Sequence, residues 1–256
     1  MRIKILIEYD GTGFAGWQRQ DNANSVQETL ERAIEQIINY QGKIILYGAG
    51  RTDAGVHATG QVAHFDFSSD ILISRWQGNI RNLVKAINFY LIGTKVIVLN
   101  AEVVPEDFHA RFSAKMRHYE YIIFNRPEAS VLLNDRIWHV PRILDIHLMQ
   151  RAATYFIGRH NLGAFRSAEC SATKITRNIS SVNVTRIGAI IAISVSAQSF
   201  LHHQVRIMVG TLKMVGDGKY NPEFIWYLLA VGDRRLAGPT APSSGLYLRR
   251  IDYVSD

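Results

Sequence analysis

Residues 48–60 read GAGRTDAGVHATG, a run with four glycines and a single acid, Asp53. Arg51 stands two positions before that acid and His57 four after it. A lone carboxylate in so permissive a backbone suits one of two roles. It is a reactive group that the glycines let a substrate approach closely, or it is the Asp of a Gly-rich turn with a surface ion pair. In extended chain, positions two apart share a side, so the Arg51 guanidinium could pair with Asp53 and hold it ionised and aimed.

Two further segments carry chemical groups in a pattern. In FHARFSAKMRHYEYII (108–123), Arg111, Lys115, Arg117 and His118 are interleaved with Phe112, Tyr119 and Tyr121. Cations suit phosphates and rings suit bases, so these are the components of a nucleic-acid surface. A strand with a basic solvent face and an aromatic core face reads the same way. SFLHHQVRIMVGTLKMVGDGK (199–219) sets Arg206 on a helix whose other face (Val205, Met208, Val209, Leu212) is apolar, where an arginine can also simply snorkel. GTGFAG (11–16) approximates a dinucleotide-binding glycine pattern, but its spacing is wrong and it runs into Trp17 rather than a helix. No Lys followed by Ser or Thr completes a phosphate loop at residues 48–60. Asp53, His57, His64 and Asp66, or His202 with His203, lack the spacing of a zinc set, so no metal site is expected. No G-x-S-x-G nucleophile elbow is present.

These groups need a scaffold, and the periodicity supplies one. KILIEYD (4–10) alternates as a strand, and Ser25 with Glu28 forms a capping box ahead of a helix through Leu30, Ala33, Ile34, Ile37 and Ile38. KIILYG (43–48) and QVAHFDF (61–67) read as strands, 74–90 as a helix capped by Ser74, and KVIVLNAEVV (95–104) as a strand. The order is β-α-β-β-α-β, the ferredoxin-like unit. A second unit is expected from strand 114–124, helix 145–158, strands 178–187 and 189–197 joined at Gly188, helices 202–216 and 222–232, and strand 245–253. The fold class is therefore α+β: two tandem ferredoxin-like units, 1–105 and 106–256, sharing an extended, mostly antiparallel sheet. Asp53 then sits between the second and third strands of the first unit.

Composition narrows the partners. The 256 residues carry a net charge of +7, with ten basic and nine acidic residues in 1–100 against nineteen and thirteen in 101–256. Such an excess attracts polyanions. The single cysteine, Cys170, excludes an intrachain disulfide and suits a reducing compartment. Apolar runs fall short of a membrane span, so a cytoplasmic protein is expected. Three readings remain open on residues alone: an enzyme using Asp53 on RNA, a non-catalytic RNA-binding or chaperone protein, and a nucleotide-binding enzyme. The second gives Asp53 no role, and a carboxylate is unfavourable in a phosphate-binding surface.

GRTDAGVHATGQVAHF, FHARFSAKMRHYEYII, FLHHQVRIMVGTLKMVGDGK and APSSGLYL, in this order, closely resemble the tRNA pseudouridine synthase A family, from EYDGTGFAGWQRQ near the start to GLYL near the end. Gln204 departs from the family's usual apolar residue, and 166–174 is divergent. The resemblance implies isomerisation of uridines 38, 39 and 40 in the tRNA anticodon stem-loop, by a homodimer without a cofactor. It implies Asp53 as nucleophile, Arg51 as a contact to the nucleic acid or the flipped nucleotide, Tyr119 stacked on the target base and Arg206 paired with Asp53. Arg111, Lys115, Arg117, His202 and His203 are expected RNA contacts.

Overall fold

The computed structural model describes residues 1–38 and 44–253. The chain divides into two compact units, Met1–Lys115 with Leu248–Asp256, and Met116–Tyr247. The division falls at Lys115 rather than near Pro105 because 106–115 stays on the first unit. There Ala110 N–H donates to His64 Nδ1, Tyr253 Oη donates to the Ala110 carbonyl, and Lys115 N–H donates to the Asp252 carbonyl. The closing strand likewise contributes Leu248–Asp252 to the first unit.

In the first unit, β1 (Arg2–Tyr9) lies between β4 (Val96–Val104) and β3 (His57–Asp66), antiparallel to both. The Leu248–Asp252 part of β10 (Leu246–Asp252) flanks β3. Alternation on β1 sends Ile3, Ile5 and Ile7 to one fully buried face, in register with Phe65, Ala63 and Gln61. α1 (Val26–Ile38) and α3 (Ile80–Tyr90) supply Leu30, Ile34, Leu83 and Ile87 to the same core. Each such side chain contributes about 1.5–3 kcal/mol of burial. Half of the expected capping box is seen: Glu28 N–H donates to Ser25 Oγ, while the Glu28 carboxylate pairs with Arg32.

Two expected elements change. Of the strand expected at 43–48, Lys43 lies outside the described residues and only Tyr47–Gly48 pairs with β3, as β2. The backbone before it bonds to side chains of α1 instead: Ile44 N–H to Glu35, Leu46 N–H to Glu31, and the Leu46 carbonyl to Gln27. The helix expected at 74–90 is two, α2 (Ser69–Trp76) and α3, broken where Gln77 and Gly78 take φ of +53° and +77°. Ser74 is therefore no cap; it lies inside α2, and Asn79 caps α3 by accepting from Arg81 N–H.

On the sheet face opposite the helices, His64 is 2% exposed and stacks on Tyr47, with the His109 ring 4.7 Å away. Burial, then the charges of His109 and Arg2, push its pKa down to about 4 against an opposing pull from Asp66. A folded pKa below the unfolded value gives stability present above about 6.5 and lost as pH falls toward 4. A His64→Asn variant, whose Oδ1 can still accept from Ala110, should flatten denaturation-derived stability between pH 6.5 and 4. His109, lowered for the same leading cause, retains part of the slope. An unchanged slope would refute the assignment.

In the second unit, β5 (Met116–Phe124), β9 (Ile190–Ala197), β8 (Thr176–Ile187) and β7 (Gly158–Asn161) run antiparallel in that order. β6 (Trp138–His139) adds a short parallel pairing to β5. Gly188 turns the β8–β9 hairpin at φ +58°. α4 (Ile146–Thr154), capped by Asp145, and α5 (Gln204–Gly216) pack together, and α6 (Phe224–Val231) follows. Each unit presents the strand–helix alternation of an α+β fold. Among the described residues no helix is long and apolar enough to cross a membrane.

Candidate active site

Asp53 lies on the connection between β2 and β3, which is tied down along its length. Ala49 N–H donates to the Val62 carbonyl at 2.8 Å, Gln61 Nε2 to the Gly50 carbonyl at 2.9 Å, and Trp17 N–H to the Thr52 carbonyl at 3.1 Å. Val56 N–H closes a turn on the Asp53 carbonyl at 3.1 Å. Thr52 is buried, Asp53 half-buried and Arg51 exposed. The expected Arg51–Asp53 ion pair is not found among the described residues. An exposed guanidinium gains little from such a pair once water has solvated it.

GTGFAG, the weak glycine pattern, is the other half of this loop's support. A Cβ on Gly11 would stand 2.1 Å from the Val56 carbonyl oxygen. One on Gly16, already at φ +102°, would stand 2.6 Å from the Thr52 oxygen. Gly48 lies against the Trp17 indole, where a Cβ would come within 2.4 Å. Gly11 and Gly16 are needed because two backbones touch, and Gly48 because an indole fills its Cβ space, needs different from cradling phosphate. Gly11 N–H also donates to His57 Nδ1 at 3.0 Å. Asp10 anchors the turn: burial would raise its pKa, but hydrogen bonds from Thr12 and the neighbouring His57 and Lys95 outweigh that and hold it at about 2. The signal was legible in the closeness of two Gly-rich runs to one sheet end, but not their contact.

The segment 108–123 divides by strand alternation. Arg111 stands over the exposed ring of Phe112 at 5.7 Å, and Lys115 is exposed. On β5, Arg117 donates to the Gln198 carbonyl and His118 Nδ1 contacts Ser196 Oγ at 2.8 Å. Tyr119, half-buried, meets Phe200 edge-on at 5.2 Å. Tyr121 is not part of any surface: it is fully buried, its hydroxyl donates to the Pro242 carbonyl, and burial raises its pKa. Of the two readings of this strand, the aromatic core face holds for Tyr121, which shares the inward face with Ile123.

In 199–219, the His202 and His203 rings meet at a 34° tilt with centres 3.9 Å apart ahead of α5, His203 at φ +60°. Arg206 does more than snorkel. Its Nε donates to the Ala241 carbonyl at 2.8 Å and its own carbonyl accepts from Ala241 N–H, tying α5 to the loop before β10. Gln204 is buried, yet its Oε1 accepts from Leu201 N–H at 2.8 Å, so the departure from an apolar residue is satisfied locally.

Comparison with known proteins gives these residues a context. A family model described as tRNA pseudouridine synthase matches residues 5–113 and 152–254. The chain is 48% identical over 255 residues to tRNA pseudouridine synthase A of Wolbachia sp. subsp. Drosophila simulans (strain wRi), covering 99% of this chain and 100% of that relative. The protein of the same description from Anaplasma phagocytophilum (strain HZ) is 47% identical over 255 residues, at 99% and 100% coverage. That of Paramagnetospirillum magneticum (strain ATCC 700264 / AMB-1) is 46% identical over 252 residues, at 98% and 95%. Both Gly-rich runs and the Asp53 loop fall inside the first matched stretch, and Arg206 falls inside the second. With such identity over the whole length, the chain belongs to the tRNA pseudouridine synthase family.

Proposed function

We propose that this chain, an isomerase converting uridine to pseudouridine in tRNA, acts on positions 38, 39 and 40 of the anticodon arm with Asp53 as its nucleophile. The observation that carries this reading is the Asp53 loop: a half-buried carboxylate on a backbone pinned by Trp17, Gln61 and Val62. Pinning matters because a nucleophile reacts at a useful rate only when held at its target.

The reaction breaks the N1–C1′ glycosidic bond, turns the uracil and joins C5 to C1′. The C5 proton then leaves and N1 gains one, so no redox or hydrolysis is involved. A uridine stacked in an RNA arm cannot reach a loop carboxylate; it must leave the stack, at a cost of a few kcal/mol. Ring stacking and phosphate contacts offset that cost. Tyr119 takes the stacking role, its half-buried ring braced edge-on by Phe200. Arg51, exposed beside Asp53, grips a phosphate or fills the vacated space. Arg206, oriented through its Nε bond to Ala241, serves the target nucleotide's pocket. Arg111, Lys115, Arg117, His202 and His203 contact the RNA backbone, in line with the net charge of +7. The working state is a cytoplasmic homodimer.

Incubation with unmodified tRNA and no additive, followed by nucleotide-resolution mapping, should place pseudouridine at 38, 39 and 40. Modification confined to another arm would refute the site assignment.

A further inference from the structure

We infer that Tyr9, Thr52 and Gln61 form a buried positioning device for the Asp53 carboxylate; the inference rests on Asp53 being the nucleophile. Tyr9 ends β1 and Gln61 sits on β3 opposite Ile7, both on the side that packs against the helices. Tyr9 is 3% exposed, Gln61 0% and Thr52 6%. Polar groups in such surroundings persist when hydrogen-bonded, and these are. The Tyr9 hydroxyl and Thr52 Oγ1 lie 2.7 Å apart. Burial raises the Tyr9 pKa, so it stays a neutral hydroxyl that can donate and accept. Gln61 meanwhile donates to the Gly50 carbonyl at 2.9 Å and accepts from Val62 N–H at 3.1 Å.

The network therefore grips the chain at Gly50 and Thr52, on the near side of Asp53, from two strands of a rigid sheet. Trp17 N–H holds the Thr52 carbonyl from the other direction. With its side chain bonded to Tyr9 and its carbonyl held by Trp17, Thr52 is fixed at both ends, and so is the point from which Asp53 departs. A core of this kind could have used Phe and Val at these positions for packing alone. The hydroxyls add direction, which hydrophobic packing does not supply.

Tyr9→Phe and Thr52→Val each remove the 2.7 Å bond and leave the shape of the side chain nearly unchanged. Each should slow single-turnover pseudouridine formation at saturating tRNA by about tenfold, the scale of a small misplacement of a reacting group. Affinity for tRNA should be unchanged. The double variant should be no slower than either single one, because both delete the same bond, and Thr52→Ser should keep the wild-type rate. The inference falls if Tyr9→Phe turns over at the wild-type rate, if the two losses multiply, or if the loss tracks weaker tRNA binding. Should Thr52→Val fail to fold, Tyr9→Phe decides alone. Asp53→Asn, assayed in parallel, separates the two levels. If it is inactive while Tyr9→Phe is at full rate, only the positioning device is refuted; if it is active, the nucleophile assignment itself is lost.

Discussion

Asp53→Asn is expected to lower the single-turnover rate of pseudouridine formation by about 10³-fold or more, the scale on which loss of a covalent nucleophile is felt. Asparagine matches aspartate in shape, and three supports of the loop act on backbone carbonyls. Trp17 holds the Thr52 carbonyl, Gln61 holds Gly50, and Val56 bonds the Asp53 backbone oxygen. Fold and tRNA affinity should therefore persist, and the loss should appear in the chemical step alone. A quenched time course on an anticodon-arm RNA, with binding measured separately, checks both parts. Substantial conversion by the variant would leave Asp53 without a chemical role and return the Gly-rich run to an ordinary turn.

Gly16→Ala should also be damaging, from a residue with no reactive group. At φ +102° an L side chain is strained, at a cost of order 1–3 kcal/mol. The new Cβ would also sit 2.6 Å from the Thr52 oxygen and 3.1 Å from the Asp53 carbonyl carbon, both backbone atoms that cannot rotate away. The Asp53 loop must move, and we expect about 2–4 kcal/mol of lost stability together with a rate falling more than tenfold. Gly13→Ala is the matched control. It has φ of +87° and nothing within 4 Å of its Cβ, so it carries the backbone strain without the collision. It should lose about 1–2 kcal/mol and keep the rate of the folded fraction. Equal rates for the two variants would show that contact between the two Gly-rich segments does not set the position of Asp53.

Several elements were legible because their causes are local. The Ser25 cap starts α1 where the sequence places it, β1 alternates as its isoleucines do, and Gly188 turns the hairpin between β8 and β9. Elements whose cause lies elsewhere in the chain were not legible. The 43–48 segment has strand-forming residues, yet its amides are claimed by Glu31 and Glu35 of α1. β7, the polar GRHN at an edge, has no alternation of its own and is a strand only because β8 offers a ladder. The break at Gln77–Gly78 was written in a Gly-Asn pair but obscured by the apolar periodicity on both sides.

The same division holds for the site. Residue types and order single out Asp53 with Arg51 as a candidate and carry the family resemblance, from which the expected roles of Tyr119 and Arg206 come, because reactive groups and their flanking glycines are contiguous in the chain. Contacts between distant segments required the folded structure. They turned GTGFAG from a poor nucleotide motif into the packing partner of the Asp53 loop, sent Tyr121 into the core, left Arg51 exposed, joined Tyr9 to Thr52 and set Gln61 against Gly50. Periodicity reports which side of a strand a residue takes; which backbone comes within hydrogen-bonding reach is set only when sheet, helices and loops close on one core.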